Sequence, residues 1–264
     1  MALKFCANLN YLFSENSTQI LERFRLAKLA GFRAVENGFP IDVSVDDAVR
    51  VQKETGLEVV LLNICLGQVQ GGEFGCTSIP DKEKEFKSNL HRTVEFAKAL
   101  NCKKIHLLAG KLQQPPTKDH HLTYLKNLKY AASVLASENI TGLIEPICKY
   151  GVPGYYLNNY EDAVEILEKV NSSHIKLMVD LYHLQHIKGN ITNTIRDLLP
   201  LIGHIQIAQV PGRNEPNTLG EINYEFVFKV IKEAGYDDWI GCEYKPINGT
   251  NLGLNWVKEF GYSL

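Results

Sequence analysis

Eight times along its 264 residues, this chain follows a short apolar run with a longer amphipathic one. The short runs are KFCANL from residue 4, AVEN from 34, EVVLLNIC from 58 and KKIHLLAG from 103. They continue with GLIEPI from 142, IKLMVDLYH from 175, GHIQIAQV from 203 and WIGCEYKP from 239. Between them lie helical patterns. In SENSTQILERFRLAKLAGF, Ile20, Phe24, Ala27 and Leu29–Ala30 recur near the 3.6-residue period, with Gly31 placed to cap the helix end. KSNLHRTVEFAKALNC and NYEFVFKVIKEAGY have the same form, the second again ending on glycine. Each unit takes about 33 residues, the size of a βα pair with its loops. Alternating βα units imply parallel strands. Eight of them predict a closed α/β barrel, a single (β/α)8 TIM barrel over residues 1–264, which leaves no sheet edge exposed. An open doubly wound sheet would carry a glycine-rich phosphate turn after its first strand, and NLNYLFSEN has no glycine. The glycine-rich stretch LGQVQGGEFGCTSIP, 66–80, follows the third strand and reads as a loop over one barrel end.

Composition narrows the class of partner. Hydrophobic residues make up 45% and charged residues 22%, as in ordinary globular proteins. A net charge of −2 supplies no basic field for a phosphate backbone, so nucleic acid is not an expected partner. MALKFCANLN lacks the apolar core of a signal peptide, and no apolar run approaches the roughly 18 residues needed to cross a membrane. The six cysteines are scattered, with no C-x-x-C spacing, which points to free thiols in a reducing, cytoplasmic setting.

In a parallel barrel the reactive groups come from the C-terminal strand ends. Side chains alternate along a strand, so parity selects the inward ones. It selects Glu145 in strand five, Asp180 in strand six, Gln206 in strand seven and Glu243 in strand eight. They are 35, 26 and 37 residues apart, close to one βα unit each. A lone acid at a strand end commonly serves as a helix cap or ion-pair partner; four polar groups at matched positions on successive strands point to a metal or acid-base site. Three carboxylates converging at an apolar mouth repel one another, and a divalent cation resolves this. Three carboxylates and an amide oxygen suit Mg²⁺ or Mn²⁺.

The segments GLIEPI, PGYYLNN, VDLYHLQ, GHIQIAQVPGRNEPNTLGEINY and GCEYKP together resemble the hydroxypyruvate isomerases, within the wider xylose isomerase-like barrel superfamily. The resemblance runs from FCANLNYLF to the last helix. It implies an isomerase acting on a small hydroxy or keto acid in carbohydrate and glyoxylate metabolism, interconverting hydroxypyruvate and 2-hydroxy-3-oxopropanoate through a cis-enediolate. It implies Glu145 and Glu243 as the catalytic pair, and Glu145, Asp180, Gln206 and Glu243 as the metal positions. The superfamily commonly has histidine where Gln206 stands; neutral glutamine is the weaker ligand, which leaves metal dependence open.

The substrate's own carboxylate needs a cation. Arg213, in the loop after strand seven, can grip it with two hydrogen bonds, against the alternative of a solvated loop residue. His183 is a candidate to donate to substrate or organise the metal shell, against a hydrogen-bonded core histidine; His106 is read the same way. Glu221 would bond Arg213 or cap the following helix, and Lys245 is a second candidate cation. KDHH at 118–121 opens a helix and is expected to be solvated. A ketose 3-epimerase would place a further glutamate where Gly151 stands. A DNA-repair endonuclease on this barrel would need a histidine-rich zinc site and a basic face. A barrel that binds without catalysis would have no need of both glutamates.

Overall fold

In the computed structural model, which describes residues 2–39, 42–66 and 74–264, the eight expected strands are present. They are β1 Lys4–Asn8, β2 Ala34–Asn37, β3 Glu58–Asn63, β4 Lys104–His106, β5 Thr141–Ile144, β6 Ile175–Asp180, β7 Ile202–Ile207 and β8 Trp239–Cys242. They hydrogen-bond in chain order as a closed barrel. Every strand pairing with a described register is parallel. The strands read as nearly unbroken apolar runs because both faces are covered, one by helices and one by the barrel interior. Of the glycine-rich stretch, residues 67–73 lie outside the described residues. Beyond them, Cys76, Thr77 and Ser78 are buried, and the Thr77 hydroxyl donates to the Leu108 carbonyl at 2.7 Å.

The chain groups into two compact units. The first comprises Met1–Asn37, Val49–Val60 and Val179–Leu264. Its registers fix which residues share a level: Asn8 opposite Glu36, Cys6 opposite Gly241, and Gly241 opposite Gln206. Its helices obey their local signals. Asn223 caps the helix Tyr224–Ala234 by accepting from the Phe226 N–H, and Gly235 ends it at φ +91°, where a side chain would be strained. In the helix Ile20–Leu29, Ile20, Phe24 and Ala27 are buried as expected, and Gly31 follows at φ +100°. Leu29 is a correction: it is 83% exposed, because the 3.6-residue period carries it past the buried stripe.

Phe5 of β1 points outward and meets Phe228 and Trp256 edge-on, with ring centroids 5.4 and 4.9 Å away. Its parity therefore turns Cys6 and Asn8 inward. Phe228 is fully buried, so Phe228→Ala should destabilise the fold by about 3–5 kcal/mol, read from urea denaturation.

The second unit, Gly38–Ala48 and Leu61–Met178, carries β4 and β5 in register, His106 opposite Leu143. The helix Lys118–Ser137 opens at KDHH, where Thr117 and His120 form a reciprocal cap. Lys118 and Asp119 are exposed, as expected of a solvated helix start.

Candidate active site

Asp180 ends β6 and starts the helix Leu181–Ile187. Its Oδ1 accepts from the Tyr182 N–H at 2.9 Å, so it caps that helix while its Oδ2 serves the site. Arg213 Nη2 donates to that Oδ2 at 3.0 Å and to Glu243 Oε2 at 2.8 Å. The guanidinium lies between two aromatic faces, 4.8 Å from the ring centroids of both Tyr11 and Tyr182. Arg213 is buried rather than a solvated loop residue.

The loop holds Arg213 in place. Its φ of +57° lies in the left-handed region, uncommon outside glycine. Its N–H donates to the Gln209 carbonyl and its own carbonyl accepts from the Lys245 N–H, both at 2.7 Å. Gln209 is buried and staples the loop across. Its Oε1 accepts from the Val210 and Ile222 N–H groups, and its Nε2 donates to the Ile222 carbonyl. A Cβ on Gly220 would fall 2.4 Å from the Gln209 side chain, which explains a glycine there.

Burial pushes the Asp180 and Glu243 carboxyls upward; Arg213 opposes the rise in both. Glu243 reaches about 8, raised further by Asp180 and Glu36 and by the hydrogen bond it shares with Asp180. Asp180 is fully buried and Glu243 only 14% exposed, so the two cannot readily ionise together without a second positive charge. His183 is buried, its Nε2 3.6 Å from Asp180 Oδ2.

Gln206 is buried as parity predicted, but its partner was not foreseen. Its Nε2 donates to Glu36 Oε1 at 2.7 Å. Glu36, in the AVEN strand, is fully buried and also receives Asn8 Nδ2 at 2.8 Å and His204 Nε2 at 2.6 Å. Burial alone would raise its carboxyl; the neighbouring His204 imidazole and the bonds from His204, Gln206 and Asn8 outweigh it and hold Glu36 below the ordinary range. The signal in the sequence was a charged residue inside the short strand AVEN. Among the described residues, Gln206 Oε1 is buried with no hydrogen-bond partner.

In the second unit, Glu145 follows β5 and is 4% exposed, with His106 Nε2 3.6 Å from its Oε2. His106 is itself buried. The loop beyond Pro146 is tied down by the Ile147 N–H donating to the Leu157 carbonyl at 2.9 Å.

Two secondary expectations are corrected. Glu221 does not cap the following helix, a role Asn223 takes. It accepts from Gln185 Nε2 at 3.2 Å. Lys245 is exposed, because β8 ends at Cys242 and the strand pleat does not carry three residues beyond its end.

The family model for the xylose isomerase-like TIM barrel matches residues 24–260. The chain belongs to that family. Within it, a protein of Escherichia coli named hydroxypyruvate isomerase is 40% identical, over 98% of this chain and 99% of that one. A Cupriavidus necator protein named 2-oxo-tetronate isomerase is 38% identical, over 97% of this chain and 98% of its own. Among solved structures, a Brucella melitensis protein described as an AP endonuclease of family 2 superposes with a TM-score of 0.92 at 38% identity. That match covers 97% of this chain and 98% of that one.

Proposed function

We propose that the protein is a hydroxypyruvate isomerase, working as one barrel domain over residues 1–264 and interconverting hydroxypyruvate and 2-hydroxy-3-oxopropanoate. The observation that carries the reading is full-length identity with relatives named for isomerising small oxo acids. Glu145 and Glu243 are the proton-transfer pair. Both follow the C-terminal ends of their strands, where the active sites of such barrels are built. One carboxylate takes a proton from C3; the resulting enediolate receives one at C2 from the other carboxyl, and the hydroxyl proton passes from O3 to O2. A carboxyl raised to about 8 titrates near working pH, where acid-base catalysis is most effective.

Glu145, Asp180, Gln206 and Glu243 would hold a divalent cation, Mg²⁺ or Mn²⁺. The donor set fits: burial raises the Asp180 and Glu243 carboxyls, a cost that a cation would relieve, and Gln206 Oε1 is buried with no hydrogen-bond partner among the described residues. Such an ion would stabilise negative charge developing on the substrate oxygens. Arg213 recognises the substrate carboxylate and His183 lines the substrate site. Six cysteines, with no disulfide among the described residues and five of them buried, fit a reducing cytoplasmic compartment. Among the described residues no helix is long and apolar enough to cross a membrane.

Purified protein incubated with hydroxypyruvate in D₂O should generate the aldehyde proton signal in ¹H NMR. Incubation with 2-oxo-tetronate tests the second reading, which the Cupriavidus relative supports. Turnover of neither acid sinks the proposal. Arg213→Ala should raise KM for hydroxypyruvate by about 10-fold or more. An equally large effect on a neutral ketose would remove the charge-matching role.

A further inference from the structure

We propose that Glu36 is a positioning residue: it fixes the Gln206 amide so that Oε1, and never the NH₂ group, is offered to the divalent cation. The inference rests on Gln206 being a metal ligand, as argued above, and adds a residue that never touches the ion.

A glutamine presents either oxygen or nitrogen, and only the oxygen can bind a cation. Something must therefore choose. Glu36 does so because an ionised carboxylate only accepts hydrogen bonds. Its Oε1 takes Asn8 Nδ2 at 2.8 Å and Gln206 Nε2 at 2.7 Å; its Oε2 takes His204 Nε2 at 2.6 Å and Cys6 Sγ at 3.5 Å. Four donors surround one acceptor group, so turning the Gln206 amide over would set oxygen against oxygen. Asn8 is held independently, since its Oδ1 accepts the Asn10 N–H at 3.0 Å. That leaves Gln206 as the member with an oxygen to spare, and this oxygen is buried with no hydrogen-bond partner among the described residues.

The fold has cleared room for this arrangement. Gly241 pairs in register with both Cys6 and Gln206, and a Cβ there would lie 2.3 Å from Glu36 Oε1 and 2.5 Å from Oε2. A carboxylate so enclosed cannot swing aside. Charge at Glu36 thus substitutes for the fixed ring nitrogen that a histidine ligand would supply at the Gln206 position.

The test is Mn²⁺ affinity, measured by calorimetry and by EPR of free Mn²⁺ on metal-stripped protein. Glu36→Gln keeps the shape but lets either amide end face Gln206. Outer-shell partners of metal ligands typically contribute 10–100-fold in affinity, so Kd should rise by about that factor. In a Gln206→Ala background the same change should add little, because Glu36 acts through Gln206. Equal Mn²⁺ affinity in wild type and Glu36→Gln overturns the positioning role and leaves the metal site standing. Fully additive losses also overturn it, since they indicate a merely structural effect. Absence of Mn²⁺ and Mg²⁺ binding by the wild type removes the metal reading and this inference with it. If Glu36→Gln does not fold, Glu36→Asp keeps the charge opposite His204 and draws the carboxylate back by one methylene. It should weaken Mn²⁺ binding in the same way, and unchanged affinity there is equally decisive against the proposal.

Discussion

Glu145→Gln and Glu243→Gln should each lower kcat by about 10²–10⁴-fold, the usual contribution of a positioned acid or base. Both substitutions keep the shape of the side chain and an oxygen that can bind a cation, but they remove the basic carboxylate. Two groups are needed because the proton leaves one carbon and another returns to its neighbour. In a one-base mechanism a single group removes and returns the proton on one face, and one of the two variants would stay substantially active. The same carboxylates are proposed to hold the ion, so metal content must be measured on the same preparations and activity compared at equal occupancy. Circular dichroism and urea midpoints separate loss of chemistry from loss of fold. A Glu243→Gln enzyme that turns over near the wild-type rate defeats the two-carboxylate mechanism.

The second large effect is a stability that falls with rising pH in metal-free protein. Glu243 is raised from 4.5 to about 8 by burial, with Asp180 raised beside it. Between those pH values the folded protein holds a proton that the unfolded chain has released, so stability decreases as pH rises. This contribution is fully present below about 4.5 and is lost on passing about 8. The buried Glu36 works the opposite way, but its carboxyl is lowered, so its effect falls at lower pH and is constant above about 5. His186, lowered from 6.5 by burial, gains stability with rising pH and must be subtracted. The quantity to measure is therefore the difference in Tm between wild type and Glu243→Gln, at pH 5 and pH 8, in chelator. Each pKa unit is worth about 1.4 kcal/mol, and a chain of this length shifts by roughly 2–4 °C per kcal/mol. The wild type should lose about 5 °C or more relative to the variant. Saturating Mn²⁺ should abolish most of that loss by binding the ionised acids. A flat difference across the range would show that Glu243 titrates normally.

Much of this arrangement follows from local chemistry. Strand period and helix period alternate eight times, and with no glycine-rich turn after the first strand this favours a closed barrel, because parallel strands need crossovers and exposed edges need partners. Inward parity found Asp180, Gln206 and Glu243, because a strand ending in a pleat has only two sides. Asparagine before Tyr160 and Tyr224, and glycine after Ala234, started and stopped helices through bonds made within a few residues. The same parity would have turned Glu36 and His204 inward, and a charged residue inside AVEN was the visible sign. What it could not supply was the partner. Glu36 meets His204 across 168 residues and Gln206 across 170, and Arg213 joins Asp180 to Glu243 across 33 and 30. Those meetings depend on the register in which β1, β2, β7 and β8 lie side by side, and on a loop stapled by Gln209. A one-residue slip between strands would exchange every inward group for an outward one. Which side chains can carry charge inside the barrel is therefore a property of the sequence. Which charges neutralise one another there, and which oxygen is left over, was decided only when the strands closed.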